Sequence, residues 1–127
     1  MEEHVGHVTC VAKLTDELVV SGGRDGTLRL WNRNGEVLHT VRGGHGAPVS
    51  CVARSGDDRF ISGSTDGTLR LWDFEGRRHA ELEGHAGRPV RCIAVDHERR
   101  TIISGSGPRG RGAARVEPQV LVWNVDL

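Results

Sequence analysis

The fold of this chain is decided by LVVSGGRDGTLRLWN, residues Leu18–Asn32. Two runs of strand-favouring residues flank an Asp-Gly pair, and such a pair predicts a β-hairpin because glycine tolerates a positive φ. The pattern returns as FISGSTDGTLRLWD at Phe60–Asp73. A third copy begins with IISGS at Ile102 and resumes with VLVWN at Val120. The sequence therefore predicts one strand-turn-strand unit that is used three times.

The repeat period is 41 residues, and it is shared by cysteines, turn aspartates and tryptophans. The residues that return at this spacing are Cys10, Cys51 and Cys92, Asp25 and Asp66, and Trp31 and Trp72. Trp123 follows Trp72 by 51 positions, ten more than the period of 41, so the third copy contains an insertion. A fixed period of this length indicates a solenoid, propeller or repeat array, in which each unit buries its faces on its neighbours.

The pattern GH…SG-x-x-DGTLRLW[DN] resembles the WD40 repeat family, whose members fold as β-propellers. The resemblance covers nearly the whole chain, and it is specific because many residue types return in step. It implies an all-β fold, a partial WD40-type β-propeller of three blades. Each blade is a four-stranded antiparallel meander, and the last lacks its outer strand. A single domain over residues 1–127 is implied, with blades at about 6–43, 44–83 and 84–127.

The resemblance also implies a structural tetrad in each blade. A His of the Gly-His turn, a Ser of the second strand, the turn Asp and the Trp of the third strand form a hydrogen-bonded chain, in which each buried polar group satisfies another. The matching residues are His7, Ser21, Asp25 and Trp31; His45, Ser62, Asp66 and Trp72; and His85, Ser104 and Trp123. The third turn has no Asp, because the insertion replaces it.

Two chemical alternatives exist for these residues. Ser, His and Asp are the residue types of a catalytic triad, but a triad is recognised by geometry, and here the set recurs in tandem with a tryptophan partner. The cysteines recur as V-x-C-[VI]-A on predicted inner strands, which favours small buried hydrophobes over metal ligands. No C-x-x-C pair and no histidine at ligand spacing supports zinc. We therefore expect a protein that is not an enzyme and that binds no metal or cofactor.

The composition bears on partners and compartment. The chain has 17 basic and 17 acidic residues, which gives no support to a general nucleic-acid or membrane surface. No apolar run reaches the length of a membrane span, and the first residues, MEEHVGH, lack the features of a signal peptide. Three widely spaced cysteines fit a reducing compartment, so we expect a cytoplasmic or nuclear protein.

The insertion Gly107–Gln119 is the irregular feature of the sequence. It holds Arg109, Arg111 and Arg115 among Gly, Ala and Pro. A solvated, mobile loop is the favoured interpretation, because the segment is short and has no aromatic residue for base stacking. The alternative is a nucleic-acid-binding module in which these arginines contact phosphates.

The resemblance implies a non-catalytic scaffold for protein–protein interaction. Candidate partner-binding positions lie just before the turn Asp or after the Gly-His turn: Arg24, Thr65, Pro48, Arg88 and Pro89. Propellers typically close with 4–8 blades, so we expect that the chain is not a self-sufficient monomer. Further blades in cis, within a longer propeller, or further copies in trans, as a ring of two or three chains, would complete it.

Overall fold

The computed structural model describes residues 6–42, 45–85, 88–106 and 119–124. Within these ranges the chain forms eleven strands and no helix: β1 Val8–Lys13, β2 Leu18–Gly23, β3 Leu28–Asn32, β4 Val37–Val41, β5 Val49–Arg54, β6 Arg59–Ser64, β7 Thr68–Asp73, β8 Arg78–Glu83, β9 Val90–Asp96, β10 Thr101–Ser106 and β11 Gln119–Asn124. No helix of the described part is therefore long and apolar enough to cross a membrane.

The strands form three antiparallel sheets of four, four and three strands. We call them blade 1 (β1–β4), blade 2 (β5–β8) and blade 3 (β9–β11). In each blade the strands lie side by side in chain order, because short turns connect neighbours. The first strands β1, β5 and β9 are neighbours across the blades. This architecture confirms the predicted all-β fold class.

The Asp-Gly turns form as the sequence predicts. Gly26 and Gly67 close the β2–β3 and β6–β7 turns with φ angles of 81° and 88°. A side chain would strain both positions, since the left-handed region disfavours a Cβ atom. The preceding Asp25 and Asp66 carboxylates accept hydrogen bonds from the backbone amides of the threonines two residues later. The motif DGT is therefore a locally determined turn.

The core lies between the blades. One buried cluster joins blades 1 and 2 and is formed by Leu14, Val20, Leu28, Leu30, Val49, Phe60 and Trp72. A second cluster joins blades 2 and 3 and is formed by Ile61, Leu69, Leu71, Val90 and Ile102. Blade 2 contributes to both clusters, because alternate residues of a strand point to opposite faces of its sheet. Blades 1 and 3 each contribute one face.

The first strands of blades 1 and 2 each contain a β-bulge, and the bulged residue forms a hydrogen bond to the first strand of the following blade. The β1–β2 register skips Thr9, between Val8 and Cys10, and the β5–β6 register skips Ser50 in the same way. Such bulges re-aim a side chain. The Thr9 hydroxyl donates to the Val49 carbonyl of blade 2, and the Ser50 hydroxyl donates to the Val90 carbonyl of blade 3. The same repeat position thus makes the same contact at both junctions.

Candidate functional site

Blade 2 contains a continuous chain of hydrogen bonds from its third strand to its turn. Trp72 Nε1 donates to Ser62 Oγ at 2.8 Å, and Ser62 Oγ lies 2.7 Å from His45 Nε2. On the other side of the ring, His45 Nδ1 lies 3.2 Å from Thr68 Oγ1, which donates to Asp66 Oδ1 at 2.6 Å. The structure therefore brings together all four residues of the predicted second tetrad.

The hydrogens of this chain run in one direction. An indole nitrogen can only donate and a carboxylate can only accept, so Ser62 accepts from Trp72 and uses its own hydrogen on His45 Nε2. His45 then carries its proton on Nδ1 and donates to Thr68. This arrangement requires a neutral imidazole. Burial lowers the pKa of His45 to about 4, and Arg70 acts in the same direction, so the ring is neutral at pH 7.

Thr68 was missed as a member of the chain. His45 Nδ1 and Asp66 Oδ1 are 4.0 Å apart, so they do not share a hydrogen bond directly, and the Thr68 hydroxyl bridges them. Burial alone would raise the pKa of Asp66, but the hydroxyl and amide of Thr68 lower it below its usual value. The signal was present in the sequence, because Thr27 and Thr68 are 41 residues apart.

The described residues of blade 1 show two parts of the same pattern. Trp31 Nε1 donates to Ser21 Oγ at 2.8 Å, as in blade 2. Asp25 Oδ1 accepts from the Thr27 hydroxyl at 2.6 Å, and buried Arg29 donates to the same hydroxyl at 2.8 Å. Asp25 Oδ2 also lies 4.0 Å from the Arg29 guanidinium. Among the described residues of blade 1, Arg29 therefore lies beside the turn Asp.

The assignment of His7 to the first tetrad is corrected by the structure. His7 is exposed, and only its carbonyl takes part in a described contact, accepting from the Arg24 amide at 2.8 Å. The register explains why: Val8 and Val49 begin equivalent strands, so His7 stands one residue before β1, whereas His45 stands four residues before β5. The residue at the spacing of His45, six before the repeated cysteine, is His4, which lies outside the described residues.

Blade 3 contains the first half of the chain. Trp123 Nε1 donates to Ser104 Oγ at 2.8 Å, and His85 Nε2 lies 2.6 Å from the same hydroxyl. The two rings meet edge to face, with centroids 6.4 Å apart. Ser104 and Ser62 are both fully buried, so neither hydroxyl can meet a substrate. These two serines serve the packing of the blades, and neither is a nucleophile that a substrate could reach.

The candidate partner-binding residues lie along one edge of the blades, which we call the turn edge (the β2–β3 and β6–β7 turns with the segments that lead into β5 and β9). The Thr65 amide donates to the Pro48 carbonyl at 3.1 Å. Arg24 is exposed, and Thr65, Pro48 and Arg88 are half-buried. Pro89 is buried against the start of β9, which removes it from the residues that a partner can touch. The prediction for Pro89 is corrected accordingly.

The cysteines and the arginines of the insertion are the remaining residues that the sequence singled out. Burial raises the pKa of Cys51 to about 11 and also raises that of Cys10, so both thiols are protonated at pH 7. Among the described residues, no group of three His, Cys, Asp or Glu side chains could hold a metal ion. Arg109, Arg111 and Arg115, with the rest of 107–118, lie outside the described residues.

Comparison with known protein families identifies the family to which the repeats belong. The family model described as WD domain, G-beta repeat matches residues 1–32, 35–73 and 76–108, which together cover most of the chain. The first two matches end at Asn32 and Asp73, so each family repeat is offset by one strand from a structural blade. A comparison with individual curated proteins gave no match. The three repeats, their tryptophans and their meander sheets agree, and the chain belongs to the WD40 repeat family.

Proposed function

We propose that this protein is a non-catalytic scaffold that binds other proteins or peptides along its turn edge. WD40 repeats generally mediate protein–protein contacts, and this coarse function follows from the family. The observation that supports the finer proposal is the alignment of the turns. Arg24 and Thr65 occupy the same repeat position in successive blades and lie on the same edge.

The turn edge is held by hydrogen bonds to backbone carbonyls. The His45 amide donates to the Gly26 carbonyl at 3.1 Å, which ties the β2–β3 turn of blade 1 to the segment leading into blade 2. Within blade 2, the Ser64 hydroxyl and the Thr65 amide both donate to the Pro48 carbonyl, at 2.9 and 3.1 Å. Turns fixed in this way present side chains without a large ordering cost on binding. Arg24 adds a residue type that is enriched in interfaces.

The proposal includes the completion of the propeller by further blades, in cis within a longer protein or in trans from other copies. It also includes a cytoplasmic or nuclear location. The cysteines support this location, because Cys10, Cys51 and Cys92 are all free thiols.

The proposal is tested with one variant of the turn edge and one matched control. The double variant Arg24→Glu with Thr65→Arg changes the edge at two exposed or half-exposed turn positions. The control Asp57→Arg changes a fully exposed turn residue between β5 and β6, at the opposite ends of the strands. Proteins captured from a cell extract by the native chain should be retained by the control and lost at least about tenfold by the double variant.

An identical set of captured proteins with all three baits would contradict the proposal. The nucleic-acid alternative is separated in the same samples by single-stranded RNA at two salt concentrations. Binding through the arginines of the insertion would fall steeply as salt rises and would not respond to the turn-edge variant. We expect no such binding.

A further inference from the structure

Two open sheet faces stand at the two ends of the row of blades. The head face belongs to blade 1 and carries Val8, Val11, Val19 and Trp31. The tail face belongs to blade 3 and carries Cys92, Ile103, Gly105, Val120 and Val122. Both faces are apolar, and Val8, Val11, Val120 and Val122 are four of the five exposed large hydrophobic residues among those described.

The head face has two buried counterparts inside the same molecule. Val8 is 54% exposed, whereas Val49 and Val90, at the same repeat position in blades 2 and 3, are both 0% exposed. Each of those valines is covered because it packs on the preceding blade. A groove of about 360 Å³ on the head face lies between Val8, Val11, Val19 and Trp31. Position by position, the head face is the half of a blade junction that lacks its preceding blade.

The tail face is the other half of the same junction. Val120 and Val122 stand three residues and one residue before Trp123, as Leu69 and Leu71 stand before Trp72. Leu69 and Leu71 are buried under blade 3, whereas Val120 and Val122 are 70% and 62% exposed. The tail face therefore presents the positions that receive a following blade.

The internal junctions show how the halves fit. A Cβ atom on Gly22 would lie 2.5 Å from Val49 and 2.8 Å from the Cys10 sulfur, and one on Gly63 would lie 2.8 Å from Val90 and 2.7 Å from the Cys51 sulfur. A valine of the following blade thus sits over a glycine beside a cysteine. A Cβ atom on Gly105 would lie 2.9 Å from the Cys92 sulfur, with no valine of the described residues within 4 Å. On the tail face, the surface over Gly105 is therefore free to accept a valine. Val8, at the repeat position of Val49 and Val90, is the exposed valine of the head face.

We propose that, in the polypeptide of residues 1–127, a second copy covers both faces, head on tail, with Val8 of each copy over Gly105 of the other. The contact is heterologous, so it must either close into a ring or continue as a filament. Propellers close with 4–8 blades, and two copies supply six, so the ring closes with two chains. This inference rests on the part of the proposed function in which other copies complete the propeller, and it is independent of what the turn edge binds.

Light scattering coupled to size exclusion tests the proposal on the full chain. The native protein should have twice the monomer mass of 13.8 kDa. Val8→Asp and Val122→Asp each place a carboxylate in one half of the junction. Each variant alone should be monomeric, with the dimer affinity reduced at least about 100-fold, because a buried unpaired charge is costly.

Mixing the two variants gives the decisive result. Val8→Asp keeps an intact tail and Val122→Asp keeps an intact head, so one native junction can form between them, and the mixture should contain a dimer that neither variant forms alone. The matched control is Leu38→Asp, another exposed apolar position in β4. Its counterpart His79 stays 39% exposed, so this position lies outside the junction and the control should remain dimeric.

Several outcomes overturn the proposal. A monomeric native chain, a dimer that survives either variant, or a mixture without a dimer would each exclude the head-to-tail contact. A trimer or a filament with the same sensitivity to the variants would exclude closure by two copies. Thermal melts followed by circular dichroism confirm that each variant is folded, which is expected because both substituted side chains are exposed in the single chain.

Discussion

Blades 1 and 2 carry the same motif, DGTLRLW, but its arginine has a different partner in each blade. In blade 2 Arg70 pairs across the strands with Glu81, with Arg70 Nη2 and Glu81 Oε1 2.8 Å apart. In blade 1 the residue opposite the equivalent arginine is Thr40, and Arg29 folds back on its own turn beside Asp25. The outer strand thus offers the arginine a carboxylate in blade 2 and a threonine in blade 1, and the arginine has a different partner in each blade.

The burial of the two tryptophans differs for another reason. Trp72 packs on the core shared with blade 1 and stacks near Phe60, with ring centroids 6.4 Å apart. Trp31 lies on the head face and is only half-buried. The comparison teaches that a WD40 motif specifies its own turn, whereas the amount by which its tryptophan stabilises the fold depends on the neighbouring blade.

The largest expected difference between the blades is at the tryptophans. Trp72→Ala should lower the free energy of unfolding by about 3–5 kcal/mol, because it empties a packed and fully bonded site. Trp31→Ala should cost less than half of that. Both are measured by denaturant melts in the Val8→Asp chain, so that association does not contribute. Equal losses at the two positions would show that blade 2 gains nothing from its second neighbour.

The second effect is a dependence of stability on pH that belongs to blade 2. The pKa of His45 is about 4 when folded and about 6.5 when unfolded, so the unfolded chain binds more protons between these values. Stability should therefore fall as pH drops through this window, with a slope approaching about 1.4 kcal/mol per pH unit. His45→Gln should flatten the curve there, whereas the exposed-residue control His39→Gln should leave it unchanged. An unchanged slope in His45→Gln would show that the ring is not held neutral.

The third effect concerns the end of the chain of hydrogen bonds. Asp66→Ala should cost about 1–3 kcal/mol, because the Thr68 hydroxyl and amide lose their acceptor. The value should lie toward the lower end, since Asp66 is partly exposed and water can replace the carboxylate. Asp66→Asn keeps an acceptor oxygen and should recover most of the loss in urea melts. If Asn were no better than Ala, the carboxylate charge rather than the hydrogen bond would be responsible.

The smallest effect is at the bulges that join successive inner strands. Ser50→Ala removes the hydroxyl that donates to the carbonyls of Gly63 and Val90, and it should cost about 0.5–1.5 kcal/mol. Thr9→Ser keeps the equivalent hydroxyl at the first junction and should be nearly neutral. Urea midpoints measure both. A neutral Ser50→Ala would mean that apolar packing alone holds the blades together.

Much of the candidate site could be predicted from local patterns. The Ser–Trp pairs follow from positions ten residues apart on two strands joined by a tight turn, and the insertion in blade 3 leaves that pair intact. His7 was assigned wrongly because it follows a glycine, as His45 does, whereas the histidine that keeps the 41-residue period with His45 is His4, which follows a glutamate. Thr68 was missed because a bridging role depends on a distance of 4.0 Å between two other residues.

The sequence by itself determined the repeat, the turns and the strands, because a 41-residue period and an Asp-Gly turn act over short distances along the chain. Only the tertiary structure decided which copies of a residue are buried. Val8 and Val49 are both valines at the same repeat position, yet the side chain of Val8 is exposed and that of Val49 is buried. The physical reason is that these side chains are buried only where one blade packs on another, and the local sequence does not specify whether a neighbouring blade is present.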